Sequence, residues 1–319
     1  MKNAEARERL ERDISPESIS GWVAETGPLL GREAELGVLQ DLITRAARGI
    51  GSVVMIEGPA GIGKTSLLET ACGEAEYLVD SSKAPRILTA RGSPLESELG
   101  FGVVLQFLAP LVTAPESEAR ELLANSPAGA LLEGEVLPEP STDGSGPDPT
   151  IGILHALHRL VITLCRDRPL ILAVDDAQWA DLPSLRFIHY LEHRSERLAL
   201  AQILTVRTGE PGFDRGPLTE IGAHSLTRIL VPKPLGESDV AALVAARMPD
   251  AEPAFKRACA RITAGNPLYL KALIRSAISD RVPPTGAGAE SLEGRTPPVL
   301  RRELLARLGR LPEAERALA

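Results

Sequence analysis

Eight consecutive residues constrain this chain more than any other feature. Gly58-Pro59-Ala60-Gly61-Ile62-Gly63-Lys64-Thr65 follows the apolar run Ser52–Glu57 and opens a stretch with helical patterning from about Lys64 to Cys72. The spacing fits G-x-x-x-x-G-K-[ST]. Glycines let the backbone curl so that successive N–H groups point inward at anionic oxygens. The helix that follows aims its positive N-terminus at the same place. Lys64 is then expected to reach the β- and γ-phosphates of a nucleotide, and the Thr65 hydroxyl to ligate Mg²⁺. The nucleotide-binding set read from the loop is Gly58, Pro59, Ala60, Gly61, Ile62, Gly63, Lys64, Thr65 and the adjoining Ser66.

A strand that feeds such a loop predicts a parallel sheet, and the rest of the chain agrees. Arg86–Ala90, Pro169–Asp175, Leu198–Val206 and Arg228–Val231 read as further short strands, with helical stretches at Phe101–Val112 and Ile151–Asp167. Strands separated by helical stretches rather than tight turns predict a parallel α/β sheet with helices on both faces. After Pro234 the strand signals stop. Glu237–Met248, Ala254–Ala264 and Leu268–Asp280 read as a small all-helical lid.

The expected organisation is a charged N-terminal segment over 1–28, an α/β core over 29–235, a helical lid over 236–281, and a linker with the start of a further helical region over 282–319. Within the core, residues 113–150 are rich in Pro, Ser, Glu and Gly and read as a mobile surface insertion. Residues 282–298 read as a Pro/Gly-rich linker, and Val299–Leu308 as a helix stopped by Gly309.

The apolar run Leu170–Val174 leads into Asp175 and Asp176. Beside a phosphate loop, the first acid of such a pair orients the Mg²⁺ shell. The second positions and deprotonates an attacking water. Asp175 is therefore the expected metal partner of Thr65, and Asp176 the expected catalytic acid–base residue. Arg207 follows the strand-like run Ile203–Val206. Ligands gather at the carboxyl ends of parallel strands, so Arg207 reads either as a γ-phosphate sensor or as a solvated strand-end arginine.

Composition excludes several alternatives. Hydrophobic residues are 44% of the 319 and charged residues 24%, which excludes a collagen or a mostly disordered chain. Aromatics are only 3%, too few for a base-stacking single-strand binder. A net charge of −8 repels phosphate backbones. No apolar run approaches the ~18–20 residues of a membrane span, and residues 1–20 lack the apolar core of a signal peptide. Cys72, Cys165 and Cys259 are far apart and read as reduced thiols in a reducing, cytoplasmic compartment. His155, His158, His189, His193 and His224 read as surface or packing residues, because no carboxylate pattern completes a metal site.

Taken together, Asp175-Asp176-Ala177-Gln178-Trp179-Ala180-Asp181 resembles the acidic-strand signature of STAND-class P-loop ATPases. It is most similar to the ATPase module of large LuxR-type bacterial transcriptional regulators. Leu30-Gly31-Arg32-Glu33 resembles their opening motif. Ala90-Arg91-Gly92 with Glu96 and Phe101-Gly102 resembles the segment after their second strand. Gly265-Asn266-Pro267 resembles their lid motif, and Arg207 falls at their sensor arginine.

The resemblance implies an ATP/ADP switch that hydrolyses ATP slowly, with Arg32 and Pro267 around the nucleotide. Lys64, Asp176 and Arg207 are then the catalytic set. It also implies partner domains beyond this chain: a winged helix, a helical sensor and a DNA-binding helix-turn-helix. Direct DNA binding by the chain itself is not expected, and ATP-dependent self-association is allowed. The rival reading is a work-performing AAA+ ATPase of the origin-recognition-like type that assembles on DNA. A small-molecule kinase is a weaker third, since no acceptor site is readable.

Overall fold

The computed structural model describes residues 29–79, 84–95, 97, 100–113, 118–129, 131, 149–209 and 216–293. The N-terminal segment, Glu96, the stretch 132–148 and the expected helix Val299–Leu308 lie outside them. The described chain divides into two units. One holds residues 34–59 and 64–231, the other residues 30–33, 60–63 and 232 onward.

In the first unit the order is α1 (Glu33–Ala47), β1 (Ser52–Gly58), α2 (Lys64–Leu78), β2 (Arg86–Arg91), α3 (Gly102–Val112), α4 (Glu118–Ala124), α5 (Pro149–Asp167), β3 (Leu170–Asp175), α6 (Leu182–Glu192), β4 (Leu200–Arg207), α7 (Gly216–Ala223) and β5 (Thr227–Leu230). The five strands form one parallel sheet in the order β2-β3-β4-β1-β5. The central strands are apolar without alternation because both sheet faces are covered. Their side chains nevertheless divide by the period of two. Val53, Met55, Leu172, Val174, Leu204 and Val206 face a core with α3, α5 and α6. Val54, Ile56, Ile171, Ala173, Ala201 and Ile203 face a second core with α1 and α2. Each fully buried Leu or Ile there contributes roughly 1.5–3 kcal/mol. The edge strand β5 is partly exposed, as its polar Thr227 and Arg228 anticipate.

Two stretches carry more structure than their composition suggests. Within the Pro/Gly/Ser-rich segment 113–150, α4 and the turn after it place Ala119, Leu123, Ala128 and Leu131 in the first core. Within the expected linker 282–298, α11 (Gly286–Glu293) buries Ala289 and Leu292.

The second unit is helical: α8 (Glu237–Arg247), α9 (Pro253–Thr263), α10 (Pro267–Ser279) and α11 surround Phe255, with Val240, Val244, Leu270 and Leu273. Gly265-Asn266-Pro267 makes the α9–α10 turn. Ala264 and Gly265 take positive φ to end α9. Asn266 then caps α10, its side chain accepting from Leu268 N and Tyr269 N, and Pro267 occupies the first helical position.

Candidate active site

Strand register determines what can meet at the sheet's carboxyl edge. Gly58 pairs with Arg207, and Arg91 with Asp175. The loop after β1, the acids ending β3, and the cations ending β2 and β4 therefore share one edge. This is where ligands bind in parallel sheets.

Lys64 is buried, at 6% exposure, as the first residue of α2. Its Nζ donates to the carbonyls of Gly58 at 2.8 Å and Pro59 at 2.9 Å, so the ammonium lies over the start of its own loop. One residue on, Thr65 Oγ1 is 3.0 Å from both carboxylate oxygens of Asp175. Thr205 Oγ1 donates to Asp175 Oδ1 at 2.6 Å and accepts from the Asp176 amide at 2.8 Å, which fixes the two acids to β4.

Asp176 has a left-handed backbone, φ 52° and ψ 44°. This turns its carboxylate to the side, into a two-bond fork with Arg207. Nε reaches Oδ1 and Nη2 reaches Oδ2, each at 2.8 Å. Gln178 Nε2 adds a bond to Oδ1 at 3.2 Å, and Arg91 Nη2 one to Oδ2 at 3.2 Å. Gln178 Oε1 also accepts from the Arg207 amide at 3.0 Å. Burial pushes the Asp176 carboxyl up, but bonds from Arg207, Gln178 and Arg91 and the Arg207 charge overcome it. The group is held below its ordinary value of 3.8.

The structure thus brings Lys64, Thr65, Asp175, Asp176 and Arg207 together within the sheet unit. Thr205, Gln178 and Arg91 complete the network, and no sequence spacing had pointed to them as a set. Thr205 and Arg207 are two apart on β4 and so share a face; that was the available signal. The last acid of the signature, Asp181, works as a cap. It accepts from Ser184 N at 2.9 Å, opening α6, and from Phe101 N at 2.8 Å and Val103 N at 3.1 Å, opening α3. Gly92 is required by close approach. Its amide donates to Asp175 O at 2.8 Å, and a Cβ there would stand 2.4 Å from Asp176 O.

Arg32 and Pro267 lie in the helical unit, together with loop residues 60–63. Arg32 is buried, at 2% exposure, and donates to Ile62 O at 2.9 Å and Lys233 O at 2.6 Å. Asn266 Nδ2 donates to Ala60 O at 3.1 Å, and Leu268 N to Gly61 O at 3.2 Å. Gly61 has φ +77°, and a Cβ there would stand 2.6 Å from Leu268 Cβ. The glycine is needed both for its left-handed backbone and for the close approach of α10.

The donor chemistry fits Mg²⁺. A threonine hydroxyl and a buried carboxylate are hard oxygen ligands, held together at 3.0 Å beside the phosphate loop. The cysteines take no part. Burial pushes Cys72 and Cys165 up to about 12 and Cys259 to about 11, so they are protonated thiols at neutral pH.

A parallel five-stranded sheet flanked by helices, with this loop and these strand-end groups, defines a P-loop ATPase fold. The chain belongs to the AAA ATPase domain family, whose model matches residues 28–206. An uncharacterized protein of Rhizobium meliloti is 27% identical over 289 residues, covering 83% of this chain and 26% of its own length. The chain thus spans about a quarter of that curated relative. Two solved structures share the fold. The Aeropyrum pernix ORC2 protein, with ADPNP and ADP, has 14% identity and a TM-score of 0.51, over 83% of this chain and 68% of that one. The Aeropyrum pernix ORC1 protein in complex with DNA has 16% identity and a TM-score of 0.50, over 90% and 70%. A signal transduction ATPase with numerous domains (STAND) and a tetratricopeptide repeat sensor, from Pyrococcus horikoshii, matches at 16% identity and a TM-score of 0.47, over 78% and 30%. Among the described residues, no helix is long and apolar enough to cross a membrane.

Proposed function

We propose that this chain is the ATP-binding, slowly hydrolysing switch module of a larger signal-transduction protein, of the kind found in LuxR-type transcriptional regulators. The observation that carries the reading is the closed pair of Asp176 and Arg207. The acid assigned to water and the arginine assigned to phosphate satisfy each other at 2.8 Å. Catalytic groups tied to one another must separate before they can act, so release of the pair is a point of control that nucleotide or a partner can bias.

In this account Lys64 and the loop amides bind the β- and γ-phosphates. Thr65 and Asp175 would hold Mg²⁺, which would supply charge neutralisation to the phosphates. Arg207 leaves Asp176 for the γ-phosphate and offsets charge on the transferring group. Asp176, freed of the fork, orients a water for in-line attack and takes its proton. The products are ADP and phosphate. In the helical unit, Arg32, Asn266 and the Leu268 amide hold residues 60–62 of the loop, so nucleotide at the loop is reported to that unit.

The test is single-turnover hydrolysis by the purified chain. The reading expects a slow catalytic step, with ATP bound far faster than it is cleaved. Rapid sustained turnover stimulated by DNA would replace it with the work-performing, origin-recognition-like reading.

A further inference from the structure

Four side chains of the sheet unit converge far from Lys64, with no part in nucleotide chemistry. α6 and the residue after it carry His189, Glu192 and His193 in the pattern His-x-x-Glu-His. Positions i, i+3 and i+4 share one helix face. Register puts this face at the amino ends of the strands. Thr227 opens β5 opposite Val53, five residues before Gly58, and Thr227 Oγ1 donates to Glu192 Oε1.

Glu192 is fully buried, and among the described residues its Oε2 has no hydrogen-bond partner. A buried carboxylate oxygen left in this state is costly unless a cation completes it. One histidine nitrogen lies near each carboxylate oxygen. His189 Nδ1 is 3.5 Å from Oε2, and His224 Nδ1 is 3.4 Å from Oε1. The His193 ring lies 4.5 Å from that of His189 and 4.4 Å from that of His224. One donor atom each from His189, Glu192 and His193 lie within 4.8 Å of one another. Two ligands bound to one zinc at a tetrahedral angle stand roughly 3.3–3.4 Å apart, which the His189–Glu192 separation already approaches.

The outer partners match those of metal-bound histidines, whose second ring nitrogen meets a carboxylate or carbonyl. His189 Nε2 is 3.3 Å from Glu220 Oε2. His193 Nδ1 is 3.1 Å from His189 O, which leaves Nε2 to ligate. Thr227 holds the carboxylate by its other oxygen. His189 and His193 also line an open depression of about 540 Å³, which gives an ion a route in.

We propose that His189, Glu192 and His193 bind a divalent transition metal of the Zn²⁺ class, with His224 at the site's margin. Two imidazoles and one carboxylate favour Zn²⁺ or Co²⁺ over Mg²⁺ and Ca²⁺. The sequence discounted these histidines for want of a carboxylate. Glu192 supplies it from the same helix turn.

The experiment is Co²⁺ titration of the untagged full chain in excess Mg²⁺, which occupies the oxygen donors at Thr65 and Asp175. One equivalent should bind with visible ligand-field bands and no thiolate charge-transfer band. Zn²⁺ should displace it and raise the thermal midpoint over that in chelator. His193→Ala, at an exposed position, should keep the wild-type circular dichroism and weaken Co²⁺ binding at least about 100-fold. Glu192→Gln should do the same. Absence of bands, a thiolate spectrum, or wild-type binding in both variants would make the cluster a hydrogen-bonded packing feature and overturn the proposal.

Discussion

Asp176 and Arg207 meet through two parallel bonds of 2.8 Å, across neighbouring strands β3 and β4. The left-handed backbone at Asp176 aims its carboxylate along the sheet edge rather than straight off the strand end. Two residues with separate expected roles are therefore found as one unit, with Gln178 and Arg91 fastened to the same carboxylate.

Breaking this unit from either side should have different effects. Asp176→Asn should retain ATP binding and slow hydrolysis by at least ~10²-fold. Arg207→Ala should also slow hydrolysis and should destabilise the fold by about 1–3 kcal/mol. That is less than the usual cost of breaking a fully buried pair, because the Arg207 side chain is 34% exposed. Isothermal titration, single-turnover hydrolysis and urea denaturation separate the three effects. Wild-type hydrolysis in Asp176→Asn would move the water-activating role elsewhere.

The same pair predicts an acid limit to stability. The folded Asp176 carboxyl is held below 3.8, so the native state binds fewer protons there than the unfolded chain. Its contribution is fully present above about pH 4 and is lost as pH falls through the lowered folded value. Urea midpoints measured downward from pH 5 should fall more steeply in the wild type than in Asp176→Asn. Parallel curves would show that the carboxylate carries none of the acid sensitivity.

Asp181 and Gly92 carry the architecture behind the site. Asp181→Ala removes the acceptor for three buried amides on two helices and should cost at least ~2 kcal/mol. Asp181→Asn, which keeps one acceptor oxygen, should recover part of that. Gly92→Ala forces a Cβ against the Asp176 carbonyl and should weaken ATP binding as well as stability. Thermal denaturation with and without nucleotide reads both. A Gly92→Ala chain with wild-type midpoint and affinity would contradict the close packing described.

Asn266 has two separable jobs. Its oxygen caps α10, and its amide donates to Ala60 O in the phosphate loop. Asn266→Ser keeps a capping oxygen and removes the reach to the loop. It should leave the thermal midpoint within about 2 °C, since a retained cap costs only a few tenths of a kcal/mol. It should weaken nucleotide affinity by about tenfold, the equivalent of ~1.4 kcal/mol. Unchanged affinity would mean that this bond does not shape the loop for phosphate.

What was legible in the sequence was local or periodic. The loop, the strand-end acids and Arg207 each announce themselves by residue type next to an apolar run. The network joining them does not, because Thr205, Gln178 and Arg91 reach Asp175 and Asp176 only once the order β2-β3-β4 is set. α4 and α11 escaped notice because Pro, Gly and Ser dominate around them, and only their few buried Ala and Leu residues hold them in place. Of α6 only the helical spacing of His189 and His193 is legible; that Glu192 joins their face as a buried carboxylate is not, because its burial is set by the distant Thr227. The motif Gly265-Asn266-Pro267 is legible through its resemblance to a lid motif. Its hydrogen bond to the loop 206 residues away was beyond any local reading.

The measurement that bears most directly on the account is ATP turnover by the purified chain with Mg²⁺, beside Lys64→Ala, with and without DNA. A switch module should bind ATP, cleave it slowly in about one round, ignore DNA, and lose both binding and cleavage in Lys64→Ala. Sustained turnover that rises with DNA, or ATP binding that survives Lys64→Ala, would contradict it.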